Sequence, residues 1–159
     1  MHRLAELKNE IEYHLDEAGC KEKSLAIGHL YGVSELCVLL ALRREADTVI
    51  SAACGLLHDL WTYKKGDPSN HAHHSAKLAV QILEDIRLFD DYEIKTISEA
   101  IKNHSNKGEE HDIYSEILKD ADVLHHYILH PEMKFTRSKA QRIKTSMREL
   151  GINIKVKKK

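Results

Sequence analysis

Three observations predict an all-α fold, a bundle of about six to seven helices. The 159 residues include only two prolines and seven glycines in a chain dense in Leu, Ala, Glu and Lys, a composition that favours helices. Apolar residues recur at three- and four-residue spacing through most of the chain. Asp, Ser, Gly and Pro stand where those periodic segments begin and end.

The first helix is predicted over Arg3 to Ala18, with Leu4, Leu7, Ile11 and Leu15 on one face and Gly19 beyond it. A second starts near Ser24; Leu25, Val33, Leu36 and Leu40 form its stripe, and His29 falls inside that stripe, pointing inward. Asp47 is a suitable N-cap for the third, which is small and apolar almost all round from Thr48 to Leu57 and reads as the buried central helix ending in His58-Asp59. A loop holding Gly66-Asp67-Pro68-Ser69-Asn70 leads to a fourth helix over His71 to Leu88 and a fifth from Asp91 to His104. The sixth covers Asp112 to Leu129 and stops at Pro131; a basic helix over Thr136 to Leu150 ends at Gly151.

Length and composition restrict the class. A chain of 159 residues fits a single domain, 1–159, with 42% apolar and 31% charged residues in ordinary soluble balance. No apolar run approaches the ~20 residues of a membrane span, and Met1 to Glu12 is amphipathic, unlike a secretory signal. The expected location is the cytoplasm, with no membrane partner. Cys20, Cys37 and Cys54 are odd in number and far apart, which argues against a disulfide framework or a cysteine-held zinc. Charge is polarised: ten of the twenty-four Lys and Arg residues lie in 134–159 beside the single acid Glu149.

Twelve histidines are the outlying count, and imidazole is the commonest protein metal ligand. His58-Asp59 is the sharpest local feature, because a carboxylate at the end of a buried helix needs compensation, and a cation provides it. With inward-facing His29 and with Asp122 in Leu118-Lys119-Asp120-Ala121-Asp122-Val123-Leu124, three helices can bring two imidazoles and two carboxylates together.

The ordered pattern His29, His58-Asp59, Asp122 in a helical chain resembles the HD-domain phosphohydrolase superfamily, whose motif is a His, a His-Asp pair and a distal Asp. The resemblance covers about residues 24–130 and extends to Ala-Ala-Cys-Gly-Leu-Leu-His58-Asp59, His74-Ser75-Ala76, Ala100-Ile101 before His104-Ser105, and Asp120-Ala121-Asp122-Val123-Leu124. It implies that His29, His58, Asp59 and Asp122 hold one or two divalent ions, of which Mn, Fe, Co, Ni, Zn and Mg all suit N/O ligation. For the distal acid, periodicity favours Asp120 and the resemblance favours Asp122; Asp122 is taken, with Asp120 the alternative. His74 and His104 match positions that hold a second metal or phosphate oxygens in relatives.

The resemblance further implies chemistry in which a metal acidifies water and polarises a phosphoryl oxygen. Asp59 is the candidate to orient that water, and His74 and His104 are the candidates to stabilise phosphate charge or assist the leaving group. Lys64 is a weaker candidate for substrate binding. His2, His14, His111 and His130 read as surface residues, and His71, His73, His125 and His126 receive no role. Leu60-Trp61-Thr62-Tyr63 after the His-Asp pair departs from the HD deoxynucleotide monophosphatases and guanosine tetraphosphate hydrolases, which carry acids there. The expectation is a phosphohydrolase acting on a small phosphorylated compound, with nucleotides among the candidates. The rivals are a metal- or nucleotide-binding module without turnover, and a nucleic-acid-associated protein using Lys139, Arg142, Lys144, Arg148 and the Lys155–Lys159 tail.

Overall fold

The computed structural model describes residues 2–157; Met1 and the tail residues Lys158 and Lys159 lie outside them. The elements are α1 (His2–Glu17), α2 (Lys23–Arg43), α3 (Thr48–Leu57), α4 (Leu60–Lys65), α5 (His71–Ile86), α6 (Asp91–Asn103), α7 (Ile113–Leu129) and α8 (Arg137–Glu149). The fold is all-α as predicted, and α4 is the helix absent from the sequence expectation.

α3 sits at the centre, in contact with α1, α2, α5, α6 and α7. Every residue from Ile50 to Leu57 is buried, which its small and apolar sequence permits. Its start is set by Asp47, whose carboxylate accepts from the Val49 and Ile50 amides at 2.8 and 2.9 Å; caps of this kind contribute about 0.5–2 kcal/mol. α2 lies so close to α3 that Gly55 has no room for a side chain: a Cβ there would stand 2.5 Å from Ser34 Cα and 2.7 Å from Ser34 N. Ser34 Oγ donates to the Ala52 carbonyl at the same crossing, 3.0 Å.

α2 departs from its predicted stripe. Leu25 is 59% exposed, while Ala26, Leu30, Val33, Cys37, Leu40 and Ala41 are buried. At 3.6 residues per turn each four-residue step drifts about 40°, so Leu25 has rotated off the face that Val33 occupies. His29, between them, stands at the edge of the buried face. α2 is also long and apolar enough to cross a membrane, at 21 residues and mean hydropathy 1.8, contrary to the sequence expectation. Here it is packed against α3 and α7 as a core helix.

α5 and α6 pair as neighbours, and α6 opens with a reciprocal capping box between Asp90 and Glu93. α8 covers α7 on the side away from α3. Val123, Leu124, Phe135, Ala140, Ile143 and Val156 form a second, smaller core there. The Phe135 N–H donates to the Lys157 carbonyl, 3.1 Å, so the segment after α8 folds back onto the bundle.

Two glycine substitutions separate close approach from helix propensity. Gly55→Ala is expected to lower unfolding free energy by about 1–3 kcal/mol, because backbone must move to admit the methyl group. Gly28→Ala, where nothing lies within 4 Å of the added Cβ, is expected to raise it by up to about 1 kcal/mol. Urea unfolding of both variants beside the parent measures the contrast.

Candidate metal centre

α3 does not run on through His58-Asp59. Asp59 adopts φ −118° and ψ 10° and the chain restarts as α4, which closes at Gly66 with φ 66° in the left-handed region. The break points His58 and Asp59 into a space bounded by α2, α5, α6 and α7. His29 Nε2 lies 3.1 Å from His58 Nε2. Asp59 Oδ2 stands 3.6 Å from the first and 3.4 Å from the second, and Asp122 Oδ1 is 3.9 Å from both.

Asp59 has a second face. Its Oδ1 lies 3.4 Å from His104 Nε2 and 3.6 Å from His71 Nε2, buried and without a hydrogen-bond partner. Three overlapping sets of potential ligands result: His29, His58 and Asp59; His58, His104 and Asp122; and Asp59, His71 and His104.

The backbone aims the imidazoles. His58 Nδ1 donates to the Gly55 carbonyl at 2.8 Å, His104 Nδ1 to Ile101 at 2.6 Å and His71 Nδ1 to Pro68 at 3.0 Å. Each tether fixes the ring and leaves Nε2 as the nitrogen facing the site, as metal-ligating histidines are commonly held. His104 is the residue that ends α6. His71 opens α5 behind Asn70, whose φ of 47° is a left-handed conformation that Asn tolerates.

The donor set fits a divalent ion. Imidazole–metal bonds of about 2.1 Å at near right angles separate two nitrogens by about 3 Å, the spacing His29 and His58 show. Burial drives the His58 pKa down to about 4, which keeps the ring in its neutral, ligating form. For Asp59, burial pushes the pKa up, but His58, His104 and His29 outweigh it and hold the carboxyl well below its ordinary range. For Asp122, burial is likewise outweighed, chiefly by Lys107 and then by His58 and His104. The unpartnered Asp59 Oδ1 between two Nε2 atoms is where a second cation would fit.

Of the residues proposed from sequence, His29, His58, Asp59, Asp122 and His104 are brought together. Asp120 turns the other way, to Arg44 and Arg142 at 2.7 Å each. His74 is not among the converging ligands: its ring stacks on Trp61, centroids 4.8 Å apart and planes at 22°. Lys64 lies elsewhere, its Nζ bonded to His14 Nδ1 at 2.8 Å and Glu17 Oε2 at 3.0 Å. Two residues not singled out by sequence stand at the site, His71 and Lys107, the latter with Nζ 2.5 Å from Asp122 Oδ2. His71 precedes His74 by three residues on one face of α5, so spacing alone did not separate them.

The HD-domain family model matches residues 26–127, which is most of the chain and spans His29, His58, Asp59, His71, His104 and Asp122. The chain belongs to the HD-domain family. It is also similar in fold to the crystal structure of a predicted HD superfamily hydrolase from an uncultured Thermotogales bacterium. That likeness has a TM-score of 0.61 and 24% identity, over 90% of this chain and 86% of the other. No curated protein matches it.

Acid should weaken the fold through His58. The ring titrates at its ordinary 6.5 when unfolded and near 4 when folded. Between these values the unfolded chain holds a proton that the native one excludes, so stability is fully present above 6.5 and falls as pH drops through the window. The loss is about 3 kcal/mol. Asp59 and Asp122 add in the same direction below the ordinary carboxylate range. Urea unfolding of metal-free protein across the window is expected to show this decline, and His58→Gln, which takes up no proton, to flatten it. Asp59→Ala is expected to empty the centre while leaving helix content intact, measured by metal analysis after dialysis and by circular dichroism.

Proposed function

We propose that the chain is a metal-dependent phosphohydrolase that cleaves a phosphate ester or anhydride of a small phosphorylated compound, with nucleotides among the candidate substrates. The observation that carries this reading is Asp59, a carboxylate whose two oxygens face separate pairs of imidazoles. One oxygen faces His29 and His58; the other faces His71 and His104. A divalent ion bound there supplies Lewis acidity toward a phosphoryl oxygen and acidifies water.

The chain's own residues set the rest. His29, His58, Asp59 and Asp122 are the group that would hold the ion, with His71 and His104 positioned for a second. Asp59 is also the candidate proton acceptor beside the reacting water. A cleft of about 420 Å³ adjoins His71 and is lined by polar groups, among them Asn70, Lys102, Ser105 and Asn106. Its size suits a small molecule, and its amide, hydroxyl and ammonium donors suit phosphate oxygens. Ser105 Oγ lies 3.1 Å from His71 Nε2, and His71 is the member of the candidate ligand group that lines the cleft. The similar Thermotogales structure is that of a predicted HD superfamily hydrolase, a reading in line with this one.

Phosphate release from a panel of nucleotides, dinucleoside polyphosphates and sugar phosphates, with Mn, Co, Ni or Mg added, tests the reading. Metal-dependent release by the wild type and none by the His58→Ala/Asp59→Ala variant is the expected result. A metal-loaded protein silent across the whole panel would favour a binding module without turnover.

A further inference from the structure

Lys107 belongs to the connection between α6 and α7, yet its side chain is only 11% exposed and its Nζ meets Asp122 Oδ2 at 2.5 Å. The other oxygen of that carboxylate, Oδ1, faces His29 and His58. Asp122 is thus divided, one oxygen toward the imidazoles and one toward an ammonium, and Lys107 stands one carboxylate's width from the metal ligands. An ammonium has three donors. Asp122 takes one, which leaves two for an anion at the site.

A lysine on a connecting segment would ordinarily move freely, and this one is fastened from behind. The Lys107 carbonyl accepts from Ser138 Oγ and from Arg142 Nε, each at 2.9 Å, both on α8. Arg142 is itself fixed: its Nη1 donates to Asp120 Oδ1 at 2.7 Å and to Glu116 Oε2 at 2.8 Å, and Arg44 holds the other Asp120 oxygen at 2.7 Å. The side chains of Arg142 and Asp120 are 14% and 9% exposed, so these charges are partly desolvated and screened little by salt. The C-terminal basic helix is therefore joined to the centre through the backbone of Lys107.

We propose that Lys107 contacts the phosphoryl oxygens of the substrate while keeping Asp122 to single-oxygen ligation, and that Ser138 and Arg142 are positioning residues that hold it there. The proposal rests on the phosphohydrolase reading and extends it by naming the cation that meets the anionic group. A lysine suits this role as a compact point charge.

The test is binding of inorganic phosphate to the full chain loaded with Mn2+, by calorimetry, with bound manganese counted in parallel. Lys107→Met is expected to weaken phosphate binding by about tenfold or more, the effect of losing a hydrogen bond to a charged group, with manganese content unchanged. Lys107→Arg is expected to restore most of the affinity. Ser138→Ala, which leaves the lysine in place but removes one of the two donors to its carbonyl, is expected to weaken phosphate binding by a few-fold, in the manner of one neutral hydrogen bond. Unchanged phosphate affinity in Lys107→Met overturns the assignment. So does loss of manganese together with phosphate, which would leave Lys107 only the task of orienting Asp122. Phosphate binding needs no turnover, so a Lys107→Met defect sustains the assignment where the hydrolysis panel is silent, and its absence sinks it where the panel is active.

Discussion

A buried imidazole followed by a carboxylate, at the end of a helix with no solvent face, is the constraint on which the rest of this structure depends. α3 is buried from Ile50 to Leu57 and delivers His58, itself fully buried, and Asp59 to the interior. An isolated carboxylate there would be costly, so groups that can face it are drawn from α2, α5, α6 and α7. The requirement reaches back into the packing. α2 must approach closely enough for His29 to meet His58, and that approach is possible because Gly55 presents no side chain to the Ser34 backbone. α3 itself supplies the carbonyl that orients His58, since Gly55 accepts its Nδ1–H.

A second buried set of charges lies behind the first and does different work. Lys119 is wholly buried and bonds to Glu116, His111 and the Glu109 carbonyl. Glu116 also receives Arg142, which shares Asp120 with Arg44. One of the basic residues beyond 134, Arg142, thus meets acids of α7, while Lys134, Arg137, Lys139 and Arg148 stand exposed. Removing one partner from such a set leaves the remainder uncompensated in low dielectric, which is usually more damaging than the net worth of the pair. This joins the C-terminal helix to the metal centre.

The two aspartates of α7 show why one part of the site was legible and another was not. Periodicity favoured Asp120 because it assumed one inward face. α7 has two, one toward α2, α3 and α6 and one toward α8, so both acids point inward with different partners. His71 and His74 pose the same difficulty on α5: three residues apart, they share a face, and only the turn at Asn70 and the position of Trp61 decide which ring meets Asp59 and which stacks away. Lys107 carried no local signal at all, because nothing in Asn106-Lys107-Gly108 announces that α8 will grip its carbonyl. α4 was missed for a related reason, as a short helix after a break has too few residues to show a period.

Local chemistry in the chain determined the helical class, most helix limits through caps such as Asp47 and stops such as Gly19 and Gly151, the central place of α3, and the inward placing of His29 and of His58-Asp59. These follow from periodicity, capping and residue type, which act over a few neighbouring positions. Tertiary structure alone decided that Asp59 faces two imidazole pairs, that Asp122 and not Asp120 turns to the site, that His71 joins it, and that Lys107 is fastened beside it. Each of those outcomes depends on the angle and distance between helices far apart in sequence, set by packing at contacts such as Gly55 on Ser34, and no local rule carries that information.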